Sequence, residues 1–243
     1  MSAIPKIIHF CWFGKGAKPK LVQKCINSWR KHLPDYQLIE WNESNFDINS
    51  NQYVKEAYEA KKYAFVSDFV RLHALYKHGG VYMDTDVEVL KSLNPLLKDK
   101  MFTGFEDGQF LQSGTIGAIK GHELIEEFMK YYYTKRFKKL DGTYDMTTNT
   151  NIMTSLCLPF GLKTDGSKQI LSNGTVVYPR TYFSPYDYIN GENHITEQSY
   201  TIHHFAQTWL PANVRLRSNL KRMVSRIAGP KTISAIRKAI QSK

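Results

Sequence analysis

Gly79-Gly80-Val81-Tyr82-Met83-Asp84-Thr85-Asp86 is the stretch that orders the rest of the chain. Paired glycines stop a helix because they accept the backbone angles its exit needs. The apolar triplet Val81 to Met83 then predicts a short strand, which delivers Asp84 and Asp86 at its carboxyl end. Open α/β sheets place ligand chemistry at such ends. Two carboxylates one residue apart can face a single divalent cation, which hard oxygen ligands hold well. Taken alone, a D-x-D triplet is more often a solvated turn, so its surroundings must decide.

Upstream, Val54, Ala57, Tyr58, Phe65, Phe69, Leu72 and Leu75 predict one long helix or two shorter ones between Tyr53 and His78. Asp68 and Arg71 share a face of it at i, i+3 spacing. Spacing alone favours a surface ion pair there, worth under about 1 kcal/mol. Further back, Lys6 to Phe13 predicts a buried first strand closed by Gly14 and Gly16. Pro19 starts a helix carrying Leu21, Val22, Cys25, Ile26 and Trp29, and Tyr36 to Trp41 gives a second strand.

Downstream, strands are expected at Met101 to Phe105, Thr115 to Ile119, Val176 to Tyr178 and Tyr200 to His203. Helices are expected near Glu123 to Tyr133 and Asn151 to Leu158, with a polar loop from Thr134 to Thr148. Strands alternating with helices predict an α/β layered domain with its sheet covered on both faces.

A chain of 243 residues accommodates one domain and an appendage, here residues 1–212 and a tail, 213–243. Cys11, Cys25 and Cys157 are odd in number and lack paired spacing, which excludes a disulfide framework or a zinc ribbon and suits a reducing compartment. With no charged-then-apolar leader and no run of about 18 apolar residues, neither a secretion signal nor a membrane span is expected. The expected location is cytoplasmic.

The net charge of +11 is uneven: no acidic residue follows Glu197, while nine basic ones lie between Arg215 and Lys243. Without them 24 basic residues face 22 acidic ones, so the body is near neutral. Leu216, Leu220, Met223, Val224 and Ile227 fall on one helical face among Arg217, Lys221, Arg222 and Arg226. After Gly229-Pro230, Ile233, Ile236 and Ile240 begin a second such helix. Anionic lipid attracts basic amphipathic segments by about 1 kcal/mol per basic residue, so peripheral attachment to the cytoplasmic face of an inner membrane is expected. The alternative is that the stripe packs on the domain. Stacked aromatics and base-reading modules are missing around the tail, which argues against a nucleic-acid partner.

Four blocks carry a family resemblance: Ile4 to Gly14 (IPKIIHFCWFG), Ser67 to Arg71 (SDFVR), Gly79 to Asp86 (GGVYMDTD) and His203 to Trp209 (HHFAQTW). In this order they resemble the signatures of glycosyltransferase family 32, D-x-D sugar transferases of capsule and O-antigen synthesis related to yeast mannosyltransferases and large clostridial glucosylating toxins. The resemblance implies a GT-A fold, a divalent metal (Mn2+, or Mg2+), and transfer with retention of the donor's anomeric configuration.

By the same resemblance Trp12, with Phe10 and Cys11 beside it, would form the donor-base site. Asp68 and Arg71 would contact sugar hydroxyls and diphosphate, and Tyr82, Gln112, Ser113 and Trp209 would complete the donor site. Asp84, Asp86 and His204 would hold the metal. An aromatic face under a base contributes roughly 1–3 kcal/mol and a guanidinium fork suits phosphate oxygens, so both roles are physically sound. From the residues alone, Trp12 is better explained by core packing, and His203-His204 by two ordinary strand-end histidines. Thr208 stands where the family more commonly has serine and keeps the hydroxyl.

The implied donors are UDP-galactose, UDP-N-acetylgalactosamine or UDP-glucose, with GDP-mannose also compatible. The implied acceptor is a glycan, with an undecaprenyl-linked one as its lipid-anchored form. Two other classes compete. A haloacid-dehalogenase-like phosphohydrolase also ends an apolar strand in D-x-D, but has Thr or Val four positions after the first Asp, where this chain has Glu88. A catalytically idle carbohydrate-binding or adaptor protein would have no reason to keep Trp12, Asp68, Arg71, Asp84, Asp86 and His204 together.

Overall fold

A computed structural model describes residues 3–187 and 192–206. In chain order the elements are β1 (Ile7–Cys11), α1 (Lys20–His32), β2 (Gln37–Trp41), α2 (Gln52–Glu59), α3 (Tyr63–His78), β3 (Gly80–Met83), β4 (Val87–Val89), β5 (Met101–Gly104) and β6 (Thr115–Ala118). There follow α4 (Glu123–Tyr133), α5 (Asn149–Cys157), β7 (Gln169–Ile170), β8 (Thr175–Tyr178), the single turn α6 (Arg180–Phe183), β9 (Tyr186–Asp187), β10 (Glu192–Asn193) and β11 (Thr201–His203). Seven strands form the central sheet in the order β2-β1-β3-β6-β5-β8-β7. β6 runs antiparallel to both its neighbours, and β7 is antiparallel to β8; the other pairs are parallel.

Side-chain alternation divides the core into two layers. Val81 and Met83 point to the face covered by α1, where they meet Val22, Ile26 and Trp29; Tyr82 points to the opposite face, among Phe65, Phe69 and Leu72 of α3. Both faces are therefore covered, which is why β3 is apolar throughout. No helix among the described residues is long and apolar enough to cross a membrane.

The region from Tyr53 to His78 forms two helices. Lys61 takes a left-handed conformation (φ 56°), and the amide of Lys62 donates to the Ala57 carbonyl at 2.8 Å, closing α2 before α3 starts. The stretch 134–148 is more than a polar loop. Phe137 is fully buried and stacks on Tyr144, while Glu56 accepts from the Lys138 amide and pairs with Arg136. Two aromatics seven residues apart in a polar stretch give no periodicity to read. The tail from 213, its boundary with the domain and Trp209 lie outside the described residues.

His9 fastens the start of β3 to β1 and β2. The Trp41 indole N–H donates to His9 Nδ1 at 3.1 Å, which leaves Nε2 protonated to donate to the Gly79 carbonyl at 2.8 Å. Burial pushes the His9 pKa down to about 4, and His78 adds to this against the Gly79 bond. The unfolded imidazole binds its proton near 6.5. Between these values the unfolded chain holds more protons, so stability falls as pH drops from 6.5 towards 4 and levels off below, by about 3 kcal/mol in full. His122, buried and likewise pushed down to about 4, contributes in the same window. Urea titrations from pH 4 to 7 should therefore give a shallower pH slope for His9→Phe than for the wild type, whatever its absolute stability. Equal slopes would discard this account.

Candidate active site

Three carboxyl-end segments and one helix converge beside β3. The Asp84 amide donates to the Gly114 carbonyl at 2.8 Å and the Val87 amide to the Asp84 carbonyl at 3.0 Å, so the triplet is a turn joining β3 to β4. α1 holds that turn from behind, through Trp29 Nε1 to the Val87 carbonyl (2.7 Å) and Ser28 Oγ accepting from the Val89 amide (2.9 Å). β11 pairs antiparallel with β4, setting His203 opposite Val87.

Asp84, Asp86 and His203 can each offer one ligand atom, all within 4.8 Å of one another. His203 Nε2 stands 3.3 Å from Asp86 Oδ1, and the Ala206 amide donates to Asp86 Oδ2 at 2.7 Å. The Asp86 carboxyl is held below its usual range, burial being outweighed by His203 and these hydrogen bonds. Conversely His203 is raised, Asp86 outweighing burial. His203 Nδ1 is buried without a hydrogen-bond partner, and Gly114 presents no side chain: a Cβ there would lie 3.1 Å from Asp84 Oδ2 and from His203 Cε1. An O,O,N donor set with a side-chain-free wall and an underused imidazole fits a divalent ion such as Mn2+.

The expected ligand His204 is displaced from this cluster. Its Nε2 sits 2.8 Å from Glu88 Oε2, which also pairs with Lys24 at 2.7 Å. Neighbouring residues on a strand point to opposite sides, so only one of the two histidines can face Asp86, and the β4–β11 register makes it His203.

Asp68 and Arg71 are buried, unlike a surface pair. Arg71 Nη2 lies 2.9 Å from Asp68 Oδ1 and 3.3 Å from Asp84 Oδ1, while Nη1 donates to the Ser113 carbonyl (2.7 Å) and Oγ (3.3 Å). Its guanidinium covers the Tyr82 ring, 4.5 Å from the centroid, and the Tyr82 hydroxyl donates to Asp84 Oδ1 at 2.9 Å. Burial pushes Asp68 up to about 7 against the pull of Arg71. Arg71, shared between two carboxylates, is raised and stays charged. Asn149, which nothing in the sequence singled out, donates its amide to Asp68 Oδ1 at 2.8 Å from the start of α5.

Trp12 leaves β1 on the same edge of the sheet and lines an open pocket of about 410 Å³ with Lys15, Lys18, Glu40, Asn42 and Glu43. Its indole N–H donates to the Gly16 carbonyl at 2.6 Å, and Lys18 Nζ stands 5.6 Å from its ring. Three side chains expected in the donor site pack or bond within the fold. Phe10 is buried edge-on against Trp29. Cys11 is buried below Arg71 and Tyr82, its thiol pushed up to about 12 by burial. Gln112 spends its amide on the backbone of Thr115, accepting from its N–H and donating to its carbonyl. Both ends of β1 side-chain alternation point into a core, which leaves only Trp12, past the strand, free to face a ligand.

With two carboxylates, a guanidinium and an aromatic-walled pocket on one sheet edge, the comparisons with known proteins become informative. Residues 19–103 match the model of the family described as glycosyltransferase sugar-binding region containing DXD motif. That segment is similar to the DXD glycosyltransferases, and it spans about a third of the chain. It contains Asp68, Arg71, Tyr82, Asp84 and Asp86, and His203 joins the DXD site from outside it. Inositol phosphoceramide mannosyltransferase 3 of Schizosaccharomyces pombe is 29% identical over 154 residues, 59% of this chain and 42% of that protein. Mannosyl phosphorylinositol ceramide synthase CSH1 of Saccharomyces cerevisiae is 28% identical over 147 residues, 56% of this chain and 36% of that protein. The chain thus spans well under half the length of these curated relatives. Among solved structures, PaToxG glycosyltransferase gives a TM-score of 0.49 at 18% identity, covering 65% of this chain and 70% of that one. Galactosyltransferase LgtC, solved with donor and acceptor sugar analogues, gives 0.44 at 12% identity, covering 90% of this chain and 95% of that one.

Asp84 meets both the Tyr82 hydroxyl and Arg71 through Oδ1, while its Oδ2 faces Gly114.

Proposed function

We propose that this chain is a metal-dependent, retaining glycosyltransferase of GT-A type, moving a hexose or N-acetylhexosamine from a nucleoside-diphosphate sugar to a hydroxylated glycan acceptor. The observation that carries this is the convergence of Asp84, Asp86 and His203 next to the buried Arg71–Asp68 pair. Asp84, Asp86 and His203 would hold the metal, which when bound neutralises charge developing on the departing diphosphate. Arg71 is fixed by Ser113, Asp68 and Asp84 and so offers its positive charge to phosphate oxygens with little ordering cost. Asp68, held by Arg71 and Asn149, is placed to accept from sugar hydroxyls. Trp12 gives the donor base a flat apolar face.

UDP-galactose, UDP-N-acetylgalactosamine and UDP-glucose are the donors the family resemblance favours, and the mannosyl transfer in the names of the relatives brings GDP-mannose into the same test. Release of free nucleoside diphosphate from such a panel, with Mn2+ and with a chelator, decides both class and donor. Turnover of one donor, lost with chelator, is expected. Release of phosphate from simple monoesters with no donor used would refute the assignment.

For the acceptor, an undecaprenyl-linked glycan in capsule or O-antigen synthesis fits a chain whose basic segment 213–243 holds it at an anionic membrane surface. Full chain should co-sediment with vesicles containing anionic lipid, and chain ending at residue 212 should not. Equal sedimentation would remove the membrane role.

A further inference from the structure

The DXD site occupies one end of a wider basin. β6 is antiparallel to both β3 and β5, so β3 and β5 point the same way and their carboxyl ends open on one sheet edge. Asp84 leaves the first and Glu106 follows the second, two strand spacings or about 9–10 Å away. Between them lies the turn from Gln112 to Thr115, with Gly114 at its centre and no side chain to block the gap.

Glu106 differs from every other acidic group near this site. It is partly buried, yet among the described residues no hydrogen bond or ion pair engages its carboxylate. Asp84 and His203 act on it electrostatically, with Asp107 and Arg180. Asp107, next in sequence, holds its own loop: its Oδ1 accepts from the amides of Gln109 and Phe110, both at 2.8 Å. The Glu106 amide donates to the Phe110 carbonyl at 2.8 Å, and Phe105 bridges to Leu111, so the loop carrying Glu106 is closed and fixed. Around the basin, Gln112 is spent on its own turn, Ser113 on Arg71 and Asn149 on Asp68. Among the described carboxylates around the basin, Glu106 is the one with no hydrogen-bond partner on either oxygen, and an unpaired, partly buried carboxylate is costly unless a ligand completes it.

We propose that Glu106 is a substrate-contacting residue, accepting a hydrogen bond from a hydroxyl of the sugar lodged between the Asp84–Asp86–His203 cluster and the 105–111 loop. This rests on the glycosyl-transfer assignment. Carboxylates acting on opposite sides of one sugar in glycoside-cleaving enzymes stand about 5–9.5 Å apart, so the strand spacing is of the right scale for a ring between them. A buried acceptor left without its hydroxyl is penalised strongly, which makes Glu106 a selector among sugars that differ at that hydroxyl.

The test uses the full chain, Mn2+ and the donor the panel identifies, comparing wild type with Glu106→Gln. Thermal midpoint and Mn2+ affinity should be unchanged, while kcat/KM falls about 10- to 100-fold. Donors lacking one hydroxyl each should include one on which the two proteins differ by less than about threefold, because the contact is then absent from both. A natural-donor kcat/KM within about threefold of wild type, one constant ratio across all deoxy donors, or a loss fully explained by weaker Mn2+ binding would each overturn the role. If the wild type turns over no nucleotide sugar, the glycosyl-transfer assignment falls and takes this inference with it; normal wild-type turnover beside an unaffected variant removes Glu106 alone.

Discussion

Asp86→Asn should lower sugar transfer by about 10²–10³-fold, the cost of removing a charge placed for the transition state, and weaken Mn2+ binding in parallel. The substitution keeps the shape of the side chain but replaces an anionic oxygen with a neutral amide. In the wild type, Oδ1 faces His203 at 3.3 Å and Oδ2 accepts from the Ala206 amide at 2.7 Å, so an asparagine can satisfy only one of the two without turning an N–H towards a donor. The chain segment 203–206 should consequently loosen, and His203 should lose the partner that raises its pKa. Rate against Mn2+ concentration separates the two effects. Raised Mn2+ should restore part of the rate, while a maximal rate within a factor of about three of the wild type would show that Asp86 does not serve the chemistry.

Arg71→Met should destabilise the protein by about 3–5 kcal/mol, the usual cost of deleting one partner of a buried ion pair. Arg71 is 4% exposed and stands between two carboxylates, so its removal leaves Asp68 and Asp84 facing each other without the cation that separates them. The Ser113 carbonyl and the Tyr82 ring lose their cationic neighbour in the same step. Adding Asp68→Asn to Arg71→Met should recover part of the stability, because the stranded charge goes, but no activity, because the cation is still missing. Urea unfolding of the wild type, each single variant and the double variant measures this. A cost under about 1 kcal/mol for Arg71→Met would mean the pair behaves as an exposed one.

Much of the sheet was legible because buried strands and amphipathic helices impose regular apolar spacing. β1, β2, β3, β5, β6, β8 and β11, with α1 and α4, fall within a residue or two of where the pattern puts them. β4, β7, β9 and β10 are two or three residues long, too short to show alternation. Phe137 and Asn149 escaped because a single residue reaching across 60 or more positions to its partner leaves no local mark. The resemblance points to His204, whereas the structure sets His203 beside Asp86. Strand direction fixes that adjacent side chains diverge, but which one faces Asp86 depends on the pairing of β11 with β4.

By itself the sequence determined that a helix bearing Asp68 and Arg71 runs through two glycines into a strand ending in Asp84 and Asp86, because helix spacing, glycine exit and apolar strand are local properties. Only the tertiary structure decided that the helix pair is buried, that His203 closes the aspartate cluster, that Phe10, Cys11 and Gln112 pack or bond within the scaffold, and that the Glu106 carboxylate has no hydrogen-bond partner among the described residues. Burial and register are set by elements far apart in the chain, and no local spacing encodes them.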